Sequence, residues 1–190
     1  VQYAKQRQVL VILDGKRNDI GTTAAAYARA YLGSGTAWEA DALTVSPYLG
    51  TDSLTPFVEA ATQNGAGVFV LVKTSNPGGR TFQDRAIDDL PLYRHVGQLV
   101  EELAQQTLGT TGFGDVGAVV GATYPEQLAE LRQAMPATWF LVPGFGSQGG
   151  TAKDVCGAFD ARGLGAVINS SRAIIFAYKR PEFEKYERND

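Results

Sequence analysis

The chain has 190 residues, 17 Lys and Arg against 20 Asp and Glu, and a formal net charge of −3. That balance suits one domain with a sizeable core and argues against a disordered chain or a polybasic binder of nucleic acid or membrane surfaces. One cysteine, Cys156, and one histidine, His95, exclude a disulfide framework, a cysteine zinc site and a multi-histidine metal centre. No apolar run approaches the ~18 residues of a membrane span and no secretory signal pattern is visible, so a cytoplasmic protein is expected.

In chain order, short apolar runs alternate with longer amphipathic stretches. Residues 8–13 (QVLVIL) read as a buried strand and 21–32 (GTTAAAYARAYL) as an Ala-rich helix. Residues 42–45 (ALTV) predict a short strand. Residues 51–64 predict a helix opened by a Thr51-Asp52 cap signal. Residues 67–72 (GVFVLV) read as a strand and 90–108 as a long helix. Residues 117–120 (GAVV) then predict a strand and 125–134 a helix. Residues 139–142 (WFLV) predict a strand, 152–162 a helix, 166–168 (AVI) a strand, and 172–178 the start of a last helix. The charged tail, 179–190, reads as a surface segment of the same single domain. Cys156 reads as a core residue of its helix. His95 reads as an exposed or capping residue, and Trp38 and Trp139 as packing residues.

About six strand-then-helix units result, with strands continuously apolar, as strands covered on both faces are. An open doubly wound sheet usually carries a glycine fingerprint after its first strand. Here Asp14-Gly15-Lys16 stands in that place. A (β/α)8 TIM barrel instead puts its chemistry at the C-terminal ends of several strands and holds phosphate on its last loops. That layout matches strand by strand. Six units fall two short of the barrel, so this chain is expected to lack the first two βα units and to expose an open barrel edge. Its start at Val1, close to an apolar run, fits a longer natural chain.

Each strand ends in polar residues. Asp14 and Lys16 share one face of an extended segment, because strand side chains alternate, and Asp19 lies just beyond in the loop. A carboxylate beside an ammonium keeps both charged at neutral pH and suits delivering a proton to a carbanion. The same triplet also reads as a plain ion pair at a strand end. Residues 73–79 (KTSNPGG) offer polar groups for the amide edge of a heterocycle, and equally form a simple Asn-Pro-Gly turn. Residues 143–150 (PGFGSQGG) hold four glycines, which let backbone amides approach an anion. Arg172, beside a helix start after the last strand, completes a phosphate clamp.

The run 13–21 (LDGKRNDIG) resembles the signature of the orotidine 5′-phosphate decarboxylase family. Residues 40–50 (ADALTVSPYLG), 74–78 (TSNPG) and 143–150 (PGFGSQGG) are similar to its longer-chain bacterial branch, with the motifs in order from about residue 8 to 178. The resemblance implies a TIM barrel and a cofactor-free, metal-free conversion of orotidine 5′-phosphate to UMP, the last step of de novo pyrimidine nucleotide synthesis. It also implies a homodimer with shared active sites. By that likeness Asp14 sits against the substrate carboxylate and Lys16 protonates the C6 carbanion. Asp19 and Ile20 enter the partner's site, Thr23 approaches the ribose, and Ser75 binds the pyrimidine edge. Pro143 lines the site, while Gln148, Gly149, Gly150 and Arg172 hold the phosphate. The family's Asp at the end of its first strand and Lys at the end of its second have no counterpart here. Two alternatives stand beside it: a magnesium-dependent sugar-phosphate decarboxylase on the same barrel, and a non-catalytic remnant that binds nucleotide phosphate without turnover.

Overall fold

Six parallel strands pair in the order of the chain, each joined to the next by a connection that crosses one face of the sheet. The computed structural model describes residues 1–146 and 150–186. A short helix α1 (Gln2–Lys5) precedes β1 (Ile12–Arg17), α2 (Gly21–Leu32), β2 (Ala42–Val45), α3 (Thr51–Asn64) and β3 (Gly67–Lys73). An excursion follows: a 3-10 turn (Pro77–Gly79), α4 (Arg80–Gln83) and a small antiparallel hairpin of β4 (Ala86–Ile87) and β5 (Leu90–Pro91). The main alternation then resumes with α5 (Leu92–Gln106), β6 (Val116–Val120), α6 (Pro125–Ala134) and β7 (Phe140–Val142). It ends with α7 (Ala152–Val155), β8 (Ala166–Ile168) and α8 (Ser171–Ile175). The sheet order is β1-β2-β3-β6-β7-β8, six consecutive units of the (β/α)8 plan, with β1 and β8 as its edges.

The two faces of the sheet are used differently. Leu43, Val45, Val68, Val70, Val72, Val116, Ala118, Val120, Phe140 and Val142 pack against the helices. The helices answer at helical spacing: Ala24, Ala28 and Leu32 of α2; Leu54, Phe57 and Ala61 of α3; Tyr93, Gly97, Val100 and Ala104 of α5; Leu128 and Leu131 of α6. Full burial of each large side chain contributes roughly 1.5–3 kcal/mol. On the other face a smaller cluster, Ala42, Phe69, Val119 and Leu141, joins Ile12, Leu71 and Trp139. Val167 of β8 remains 40% exposed at the open edge.

Several expectations need correction. The first strand does not cover 8–11. Val9 and Leu10 are exposed, and pairing begins at Ile12 opposite Ala42, because among the described residues β1 pairs with β2 alone, which starts there. The strand runs on through Arg17 instead, so Asp14 and Lys16 lie inside it rather than beyond it. The helix of 51–64 is as expected, but its N-cap is Gly50, φ 96°, without a side-chain cap bond. The long helix starts at Leu92, since the hairpin occupies Leu90 and Pro91. The helix expected over 152–162 stops at Val155, followed by a 3-10 turn, Cys156–Ala158. Val155 and Ala158 take its buried positions, and Cys156 is exposed rather than in the core. Trp38 is 48% exposed, against Tyr31, and Trp139 packs at a tilt against Phe113. His95 faces the hairpin, with Nε2 3.0 Å from the Ile87 carbonyl oxygen. Of the tail, 179–183 are exposed and 187–190 lie outside the described residues.

The turn before β8 depends on one carboxylate. Asp160 accepts hydrogen bonds from the Leu164 and Arg162 amides, at 2.9 and 2.8 Å, and from Arg162 Nε at 2.8 Å. The Leu164 amide, then the Arg162 contacts, hold its carboxyl below the usual carboxylate range against the opposing effect of desolvation. A depressed folded-state pKa gives stability that is present above the unfolded value of about 3.9 and lost as pH falls through the folded value. Asp160→Ala is therefore expected to lower Tm at pH 7, and the gap from wild type to narrow as the pH drops below about 3.9. Thermal unfolding monitored by circular dichroism checks this, and a gap that widens in acid contradicts it.

Candidate functional site

The site grows from an irregularity in the pairing of β1 with β2. Leu13 opposes Leu43 and Arg17 opposes Val45, so three residues of β1 stand across from Thr44 alone. An extra length of strand re-aims side chains in this way. The Lys16 amide donates to Thr44 Oγ1 at 2.9 Å, and the Thr44 hydroxyl donates to Asp14 Oδ1 at 3.0 Å. Lys16 Nζ reaches the same carboxylate oxygen at 2.5 Å. Lys16 has φ 44°, a conformation that costs a non-glycine residue roughly 1–3 kcal/mol and recurs at functional sites. Thr44 itself is fully buried. Ammonium, carboxylate and hydroxyl thus form one fixed cluster on the inner face of the sheet.

This cluster opens into a cavity of about 600 Å³ at the C-terminal ends of the strands, walled by Thr44, Ser75, Asn76, Pro143 and Asn169. A second cavity of about 490 Å³ adjoins it, with Ser75 and Asn76 as the shared wall and Thr123, Tyr124 and Arg172 on its far side. One end can therefore carry proton chemistry beside a carboxylate, while a guanidinium in the next cavity holds an anion.

Of the residues singled out in the sequence, Asp14, Lys16, Ser75 and Pro143 line the first cavity and Arg172 the second. Asp19, Ile20 and Thr23 line neither. Asp19 Oδ1 accepts from the Ile20 amide at 2.9 Å, Ile20 is 59% exposed, and Thr23 is exposed on α2. Gly150 also stays out of the cavity walls. It is buried against Gly144 and Ala122, where a Cβ would lie 2.9 Å from the Gly144 carbonyl oxygen, and its own carbonyl accepts from the Gly146 amide. Gln148 and Gly149 lie outside the described residues.

Sequence reasoning passed over Thr44, Asn169 and Tyr124. A lone hydroxyl inside the apolar run ALTV was the available signal for Thr44. Asn169 ends β8 at the cavity, and its buried Oδ1 finds no hydrogen-bond partner among the described residues. Among those residues no cluster of three metal-ligating side chains occurs and no helix is long and apolar enough to cross a membrane.

The model of the orotidine 5′-phosphate decarboxylase / HUMPS family matches residues 1–186. The chain belongs to this family. It is 61% identical over 187 residues to an orotidine 5′-phosphate decarboxylase of Rhodopirellula baltica, covering 96% of this chain and 62% of that protein. With the enzyme of the same name from Caldicellulosiruptor bescii the identity is 44% over 195 residues, covering 99% of this chain and 64% of that one. The solved OMP decarboxylase of Leishmania donovani superposes with a TM-score of 0.76 at 38% identity, covering 94% of this chain and 65% of that structure. The chain thus spans a little under two thirds of the length of these relatives. Fold and family agree with the barrel plan read from the strands.

Gly121, directly after β6, is what lets Ser75 reach the cavity. Its amide donates to the Lys73 carbonyl at 2.7 Å, and a Cβ there would lie 2.8 Å from both Cα and N of Ser75. Backbone atoms at that distance have to move. Gly121→Ala is expected to destabilise by about 1–3 kcal/mol through this overpacking and to push Ser75 out of the cavity wall. Urea unfolding measures the first effect. An unchanged midpoint contradicts the close approach.

Proposed function

We propose that this chain carries the decarboxylation of orotidine 5′-phosphate to UMP, without a cofactor, as the last step of pyrimidine nucleotide synthesis. The observation that carries the reading is the Asp14–Thr44–Lys16 cluster in a cavity whose Ser75–Asn76 wall is shared with the Arg172 cavity. The names of the relatives and the order of the motifs support it. Arg172, and by the family resemblance Gln148, Gly149 and Gly150, would hold the phosphate. Ser75 would meet the pyrimidine edge, and Pro143 would pack beside it.

With the nucleotide so held, the C6 carboxylate lies toward Asp14. The bond from C6 to the carboxyl carbon breaks, its electron pair stays on C6, and carbon dioxide leaves. Lys16 Nζ then gives its proton to C6. A preorganised ammonium stabilises negative charge as it develops and needs no rearrangement at that moment. Asp14 and Thr44 hold Lys16 in place for this. Binding energy from the remote phosphate is spent on bringing the reacting centre against Asp14. The Thr-Ser-Asn wall and the relatives' names favour this reading over the magnesium-dependent sugar-phosphate alternative. The protein belongs in the cytoplasm on this reading, where exposed Cys156 remains a thiol.

Asp19 and Ile20 take their role from a second copy. They sit just beyond β1, at the rim and outside both cavities of their own chain. In a two-fold dimer the same patch of each copy enters the other's site. Lys16→Ala is expected to abolish carbon dioxide release by the full-length protein while UMP binding persists, and Asp19→Asn to be inactive as well. Refolded together, the two variants regain up to about one quarter of wild-type activity, because random pairing restores one site in each heterodimer. Near-normal turnover of Lys16→Ala overturns the mechanism. UMP binding by the wild type without carbon dioxide release identifies a binding remnant instead. Absence of recovery despite heterodimers seen by native mass spectrometry places Asp19 in its own subunit's site.

Arg172→Ala is expected to raise KM by the equivalent of roughly 2–4 kcal/mol, the loss of a charge-assisted clamp on phosphate. The effect shrinks for the nucleoside, which has no phosphate. An equal loss with both substrates contradicts the clamp.

A further inference from the structure

Lys73 opens the polar run 73–79 that the sequence offered to a heterocycle, yet it is fully buried. In a regular strand it would share the inner face with Phe69 and Leu71. Instead Leu71 opposes Val119 and Lys73 opposes Val120, so β3 carries one extra residue there. The bulge turns Lys73 to the side of Val120, which packs with the helices. There its ammonium pairs with the carboxylate of Asp84. It also lies 5.3 Å from the Tyr93 ring centroid and 4.7 Å from that of Tyr124. Burying an ammonium is expensive unless a carboxylate compensates it, and an apolar pair of similar size often does as well for stability. The pair is therefore weak evidence for stability and better evidence for a fixed geometry.

The geometry it fixes is that of the cavity wall. Asp84 follows Gln83, and Lys73 precedes Thr74. Gln83 Oε1 accepts from the Thr74 amide at 3.0 Å, and its Nε2 donates to Thr74 Oγ1 at 2.9 Å. Two neighbouring residues at the end of α4 thus grip two neighbouring residues at the end of β3. The chain between them runs through Ser75 and Asn76, the shared wall of the two cavities. From the opposite side the Gly121 amide holds the Lys73 carbonyl, and Thr123 Oγ1 donates to the Ser75 carbonyl at 3.1 Å. Tyr124, packed on the Lys73 ammonium, is itself a wall of the second cavity and accepts from Arg80 Nε at 3.3 Å.

We infer that Lys73 and Asp84 are positioning residues of the nucleotide site, acting through Ser75 and Asn76; this rests on the reading that the two cavities together take a nucleotide. The excursion from Pro77 to Pro91 is then a brace for the pyrimidine-side wall, and the buried ion pair is its anchor.

The test is UMP binding, followed by calorimetry on the wild type, Asp84→Asn, Ser75→Ala and the double variant. Asp84→Asn is expected to weaken UMP about tenfold, and the double variant to bind no more weakly than the worse single one, because both remove the same contact. Asp160→Ala, which lowers Tm far from the site, leaves the affinity unchanged and shows that lost stability alone does not produce the effect. The apolar pair Lys73→Met with Asp84→Leu keeps the buried volume without the directional bond. It is expected to unfold at or above the wild-type temperature and still to bind UMP about tenfold more weakly. Wild-type affinity in that pair, or losses that multiply in the double variant, overturn the positioning role and leave the nucleotide reading standing. A wild-type chain that does not bind UMP overturns both.

Discussion

Leu43, Val45, Val70, Val120, Phe140 and Val142 are wholly buried between the sheet and its helices, and that packing sets which face each of the four central strands, β2, β3, β6 and β7, turns to the helices. A parallel strand whose outer face is fixed in this way has no freedom to slip by one residue, since a slip would turn its apolar side chains to the inner face. The inner face is relieved of that duty. It holds a smaller apolar cluster, part of which floors the cavity, and the C-terminal ends of the strands carry polar groups around it. The six strands of the main sheet point the same way, so these ends lie together and polar groups of distant segments meet.

Two departures from regular pairing convert that layout into a site. Between Leu13 and Arg17 the added length of β1 brings Asp14 and Lys16 onto one hydroxyl, Thr44. Between Leu71 and Lys73 the bulge of β3 sends the lysine the other way, into the helix layer and onto Asp84. Lys16, next to last in β1, and Lys73, last in β3, each meet an aspartate. Lys16 is half exposed in the cavity, whereas Lys73 is enclosed by two tyrosine rings. What separates the two lysines is the side of the sheet on which the irregular pairing leaves each of them.

Neighbouring residues show the same division between packing and function. Arg132 is buried in α6, with its guanidinium on the Met135 and Gly165 carbonyls and 4.2 Å from the Phe140 ring centroid. It closes the end of its helix and supports β8 from outside the site. Burial lowers its pKa from the usual arginine value. Tyr93, beneath the excursion, has its hydroxyl pushed up to about 12 by burial and by Glu130, whose carboxylate accepts its hydrogen bond at 3.2 Å. It thus stays a neutral phenol beside the Lys73 ammonium. Both groups are buried polar side chains that are satisfied locally.

The sequence alone carried the alternation of strands and helices, the barrel plan and the order of the family motifs, because a parallel strand covered on both faces writes itself as an unbroken apolar run. Strand-end position also marked Asp14, Lys16, Ser75 and Arg172, since polar residues just after such runs have few places to go. It did not carry where β1 begins, because the β-forming residues Val9 and Leu10 find no neighbour to pair with. It misplaced Cys156, because α7 ends too soon to present that residue to the core. Nor did it carry Thr44 or Lys73. A hydroxyl in a strand acquires meaning only from what lies across from it, and a lysine's direction only from the pairing register. Both are properties of two strands together, which only the tertiary structure decides.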